Sequence, residues 1–144
     1  MTSDEHVLDD RAAFDAYAAR FARTLRPGDV VALRGPLGAG KTAFVRAAVR
    51  ALHGSDELVT SPTFVFRQRY PGRPPVEHVD LYRIGRDEEL DEIAFDEAFD
   101  PQAVVFVEWP ERAESRLPAS RFEVAIAGAG DGPRIVRVGR LPSR

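Results

Sequence analysis

Eight consecutive residues carry the strongest chemical signal in this chain: Gly35-Pro36-Leu37-Gly38-Ala39-Gly40-Lys41-Thr42, a complete GxxxxGK(S/T) phosphate-binding pattern. In such a loop, successive backbone N–H groups turn inward as a nest for phosphate oxygens, reinforced by the N-terminal end of the helix that follows. Gly35, Gly38 and Gly40 supply the close backbone approach, the Lys41 ammonium reaches the β- and γ-phosphates, and the Thr42 hydroxyl is suited to magnesium. Lys41 is the only lysine; arginine carries every other permanently positive side chain. An ammonium is a compact point charge and a guanidinium a planar fork, so the surviving lysine marks a position where shape matters.

A metal-bound triphosphate also needs carboxylates near the carboxyl ends of neighbouring strands. Glu108 directly follows the apolar run Ala103-Val104-Val105-Phe106-Val107, and Asp80 lies in Val76 to Tyr82, where a period of two puts His78, Asp80 and Tyr82 on one face. Either acid could hold magnesium or orient the attacking water. Ser61 and Thr63 flank a proline in a loop that could bring a hydroxyl to the γ-phosphate or serve only as a turn. Trp109, the single tryptophan, follows Glu108 and could pack against a base, a partner or the core.

These side chains require a strand, a loop and a helix in that order. The spacing of Phe14, Tyr17, Ala18, Phe21 and Leu25 predicts a helix within Leu8 to Leu25, capped by Asp9 or Asp10. Asp29 to Arg34 reads as a buried strand running into the glycine loop, and Lys41 to Leu52 as the helix after it. Val65 to Tyr70 and Val76 to Tyr82 are extended segments around a Pro/Gly turn, and Asp87 to Phe99 forms one or two short acidic helices. Ala103 to Val107 is a strand buried on both faces. Arg121 to Ala127 and Arg134 to Gly139 form a hairpin.

At 144 residues the chain is expected to be one domain, residues 1–144, long enough for an ordinary core. It has no cysteine, no basic-apolar leader and no apolar run of membrane-spanning length, so a cytoplasmic protein without membrane contact is expected. A formal net charge of -3 argues against general nucleic-acid affinity. Eight acids and no base lie between Asp87 and Asp100, whereas Arg112 to Arg144 holds seven arginines against three acids. These segments are either solvated faces or docking surfaces.

Taken in order, the phosphate loop, Ser61-Pro62-Thr63-Phe64, His78-Val79-Asp80-Leu81-Tyr82-Arg83 and Val107-Glu108-Trp109-Pro110-Glu111 resemble the TsaE (formerly YjeE) family of small bacterial ATPases of tRNA threonylcarbamoyladenosine biosynthesis. The resemblance covers roughly Leu25 to Glu111. It implies an α/β P-loop NTPase-like three-layer fold with a mixed, mostly parallel sheet, and ATP and Mg2+ as ligands. It also implies joint work with TsaB and TsaD, whose complex transfers a threonylcarbamoyl group to adenosine 37 of tRNAs reading ANN codons. On this resemblance the chain contacts tRNA only through that complex and does not transfer the group itself. Its ATP hydrolysis, weak alone and partner-regulated, supports turnover.

By position, Lys41 and Thr42 match the phosphate and magnesium residues, Thr63 the switch-like loop, and Asp80 and Glu108 the two acidic motifs. Trp109 matches the aromatic near the nucleotide. Pro36 departs from the family pattern, which usually has an acid there, and removes a backbone donor. Two other readings use the same loop: a small-molecule kinase with Arg67, Arg69 and Arg73 in a lid, and a nucleotide-gated binding module with negligible turnover.

Overall fold

The computed structural model describes residues 3–59 and 66–142. Among them a seven-stranded sheet is flanked by helices on both faces. The elements are β1 (Ser3–Leu8), α1 (Arg11–Arg23), β2 (Val30–Arg34), α2 (Lys41–His53), β3 (Arg67–Tyr70), β4 (Val76–Asp80), α3 (Asp87–Glu92), β5 (Val104–Glu108), β6 (Arg121–Ala127) and β7 (Arg134–Leu141). Two 3-10 segments, Phe95–Ala98 and Pro110–Arg116, complete the second face.

The strand order is β1-β7-β6-β2-β5-β4-β3. Parallel pairings join β6 to β2, β2 to β5 and β5 to β4 in the middle, and antiparallel pairings add β7 and β1 on one side and β3 on the other. The fold is thus mixed α/β with a parallel centre. All five residues of β5 are buried, as a strand covered on both faces requires.

One face carries α1 and α2. Phe44 meets Phe14 edge-on with centroids 5.9 Å apart, Phe21 lies 5.9 Å from Phe44, and Phe21 meets Phe122 of β6 at 5.4 Å. Beyond the area they bury, such aromatic pairs contribute about 0.5–1.5 kcal/mol each. The other face buries Val105, Val107, Leu81, Leu90 and Phe95 beneath α3 and the 3-10 segments.

The structure refines three local expectations. β1 stands ahead of the expected helix, where no element was expected: Asp4 and Glu5 face solvent on an edge strand paired with β7, and α1 begins at Arg11 with the Asp10 side chain accepting from Ala13 N at 2.8 Å. The acidic segment is one short α-helix and one 3-10 turn, interrupted by Ala94 at φ 53°. β4 ends at Asp80, so Tyr82 lies beyond the strand, 43% exposed.

Arg116 joins the two oppositely charged segments, and other arginines of the basic segment pair elsewhere. Arg116 contacts Asp91 at 2.7 Å, Asp96 at 3.0 Å and Asp87 at 3.5 Å. Arg121 pairs with Glu123 and Glu114, and Arg137 with Glu5.

Candidate active site

β2 delivers the chain into the glycine loop, and α2 leaves it. Gly35 has φ +155°, and a Cβ there would stand 2.5 Å from the Ile126 carbonyl oxygen of β6, so the loop can press against the sheet only without a side chain. Gly40 precedes α2 at φ +115°, a left-handed conformation natural to glycine, and Phe14 of α1 packs where its side chain would be. No side chain caps α2, so the N–H groups of its first turn stay available at the positive end of the helix dipole.

Pro36 closes the loop through its carbonyl, which accepts from Ala39 N at 3.1 Å. Lys41 is 5% exposed and donates from Nζ to Gly35 O at 2.5 Å and Pro36 O at 3.0 Å, which leaves one of its three N–H donors for another acceptor. Its ammonium also sits 3.9 Å from the centroid of the Trp109 ring. Burial lowers the Lys41 pKa from its ordinary value, against the opposing pull of Glu108, Glu111 and Asp80.

The parallel register sets Asp80 of β4 beside Glu108 of β5, both at the carboxyl ends of their strands and next to the end of β2. Glu108 is only 2% exposed, and Thr42 Oγ1 lies 3.0 Å from each of its carboxylate oxygens. Beneath it, His78 Nε2 contacts Glu108 Oε2 at 2.5 Å, and His78 Nδ1 contacts the Tyr70 hydroxyl at 2.8 Å. Asp80 accepts from Tyr82 N at 2.9 Å; its pKa is raised, chiefly by burial, with the Glu108 charge adding to the shift. Trp109 holds φ 58°, uncommon for a residue with a side chain, and its ring lies 4.9 Å from that of Tyr82.

These groups line a cleft of about 450 Å³. It contains Leu37, Gly38, Gly40, Lys41, Thr42, Asp80, Glu108 and Trp109; Gly35, Pro36 and Ala39 complete the loop behind them. Ser61 and Thr63 lie outside the described residues. Arg11, Phe66, Tyr82 and Arg134 also line the cleft, although the sequence offered no motif for Arg11, Phe66 or Arg134. Arg134 braces the loop, donating to Ala39 O at 2.7 Å and to Gly130 O and Gly132 O of the β6–β7 turn.

Two of the three arginines considered for a kinase lid are engaged elsewhere. Arg67 and Arg69 grip the fully buried Glu77 at 2.9 Å each, and Arg67 also donates to Ala94 O.

A parallel-centred sheet with a glycine loop between β2 and α2, and acids ending the adjacent strands, defines a P-loop NTPase-like protein. The family model described as "Threonylcarbamoyl adenosine biosynthesis protein TsaE" matches residues 8–136, and the chain belongs to that family. The tRNA threonylcarbamoyladenosine biosynthesis protein TsaE of Bacillus subtilis is 40% identical over 120 residues, 83% of this chain and 74% of the relative. The protein of the same name from Streptomyces coelicolor is 38% identical over 133 residues, 87% and 88% of the two chains. The crystal structure of YdiB from Bacillus subtilis superposes with a TM-score of 0.76 at 31% identity, covering 97% of this chain and 86% of that one.

Proposed function

We propose that residues 1–144 act as a single ATPase domain that binds ATP with magnesium in this cleft and hydrolyses it in the service of tRNA threonylcarbamoyladenosine formation. The observation that carries this reading is the Lys41–Thr42–Glu108–Asp80 cluster: one buried ammonium, one hydroxyl and two acids gathered at a phosphate-type loop.

The donor set suits magnesium held jointly with a nucleotide. Among the described residues no group of three or more His, Asp or Glu side chains forms a closed metal site. Magnesium commonly takes one or two carboxylates and completes its shell with phosphate oxygens and water. Thr42 and Glu108 would hold it, and the bound ion would offset phosphate charge and fix the phosphate oxygens.

The chain's own groups do the rest. The loop N–H groups and the start of α2 bind phosphate, and the Lys41 ammonium offsets charge developing on the transferring phosphoryl group. Asp80, beside Glu108 and with a raised proton affinity, orients the attacking water. Trp109 and Tyr82 wall the cleft on the side of Lys41.

The reading extends to weak turnover alone, stimulated by TsaB and TsaD, with tRNA met only through those partners in the cytoplasm. Among the described residues no helix is long and apolar enough to cross a membrane. The test is phosphate release from ATP by the chain alone and with TsaB and TsaD, together with their ATP-dependent co-purification. Partner-stimulated release and association are expected. Transfer of the γ-phosphoryl group to an acceptor in place of phosphate release would make the protein a kinase, and no association would remove the partner role.

A further inference from the structure

Glu108 sits in a buried pocket where every contact counts, and one of its partners reaches it from beneath the cleft. His78 is 2% exposed and Tyr70 is 2% exposed. They lie on adjacent antiparallel strands, β4 and β3, and form the series Gln68, Tyr70, His78, Glu108, with contacts of 2.8, 2.8 and 2.5 Å.

The Tyr70 hydroxyl sets which hydrogen His78 can offer to Glu108. The Tyr70 hydroxyl has one hydrogen for two neighbours. If it goes to His78 Nδ1, a neutral imidazole carries its remaining hydrogen on Nε2. A carboxylate only accepts, so the orientation that suits Glu108 has the Tyr70 hydroxyl on His78 Nδ1 and Nε2–H donating to Glu108 Oε2. Burial raises the Tyr70 pKa well above its ordinary value, so the phenol keeps its proton.

We propose that His78, oriented by Tyr70, is a positioning residue for Glu108: it occupies Oε2 from below, holds the carboxylate plane, and leaves Oε1 and Thr42 directed to the metal–nucleotide side. The arrangement is that of an outer-shell histidine fixing a carboxylate that serves a metal. The inference rests on the metal–nucleotide reading of the cleft.

The test uses Mn2+ as probe, with ADP, followed by electron paramagnetic resonance, and phosphate release in parallel. His78→Leu fills the volume without a donor; His78→Gln returns an N–H near the position of Nε2. His78→Leu is expected to weaken Mn2+ binding in the presence of ADP about 10–100-fold and to lower kcat similarly. Metal-free ADP affinity, read from Trp109 fluorescence, should stay within about threefold. His78→Gln should recover most of the Mn2+ loss, and Tyr70→Phe should show a smaller loss in the same direction.

Unchanged Mn2+ affinity in His78→Leu would overturn the inference while leaving the ATPase reading intact. Equal loss in the Leu and Gln variants, or parallel loss of metal-free ADP binding, would reduce His78 to packing. A wild-type chain with no metal-dependent ADP binding would overturn the cleft reading and this inference with it. Should His78→Leu fail to fold, Tyr70→Phe carries the same test, and unchanged Mn2+ affinity there would overturn the orienting role of Tyr70.

Discussion

Two buried glutamates on neighbouring strands are treated in opposite ways. Glu77 of β4 is fully buried and clamped by the guanidinium groups of Arg67 and Arg69, which tie β3 to β4 and, through Ala94 O, to the α3 region. Glu108 of β5 is almost as buried, yet its direct partners are a threonine hydroxyl and an imidazole, and it lines the cleft. A buried carboxylate that is saturated by two cations has no charge left to use. One held mainly by hydrogen bonds keeps its charge for whatever enters the cleft, and the difference separates a fastening from a working group.

The largest effect belongs to the working side. Lys41→Ala should lower phosphate release about a thousandfold, since one preorganised charge at a developing oxyanion is worth two to three powers of ten. Near-normal turnover would break the comparison, because Lys41 would then be a fastening too.

Glu77→Ala should do the reverse. It leaves Arg67 and Arg69 without their shared carboxylate and is expected to cost about 3–5 kcal/mol in urea unfolding, with nucleotide affinity of the folded fraction little changed. A loss of nucleotide binding without a loss of stability would place Glu77 with Glu108 instead.

Asp80→Asn sharpens the contrast with the smallest shift. The folded state raises the Asp80 pKa above its unfolded value, so the fold binds that proton more tightly. Asp80 therefore costs stability as pH rises from the ordinary carboxylate range, and the whole cost is present once pH exceeds the raised value. The asparagine variant should melt slightly higher than the parent at pH 7, with the difference vanishing in acid, while turnover falls. A lower melting temperature at pH 7 would show that the carboxylate is a structural anchor.

Much of this was legible in the sequence, for local reasons. The strand, glycine loop and helix around Lys41 are contiguous, and β5 declares itself through an unbroken apolar run, so the loop and Glu108 could be placed at the ends of elements. The β6–β7 hairpin followed from its turn. What was hidden depends on distant pairing. β1 is an acidic edge strand whose partner β7 lies at the other end of the chain, and nothing in its own residues distinguishes it from a helix lead-in. The contacts of Tyr70 with His78, Arg116 with three aspartates, and Arg134 with the loop arise only when separate elements meet. The alternation in Val76 to Tyr82 grouped His78 with Asp80, but could not say that one sits beneath Glu108 and the other beside it.

The most direct test of the central claim is Glu108→Gln, measured for phosphate release with TsaB and TsaD and for metal-free ADP affinity by Trp109 fluorescence. Release is expected to fall at least about a hundredfold, with ADP affinity within a few-fold of the parent. Retained release, or equal loss of release and ADP affinity, would contradict it and make Glu108 a second Glu77.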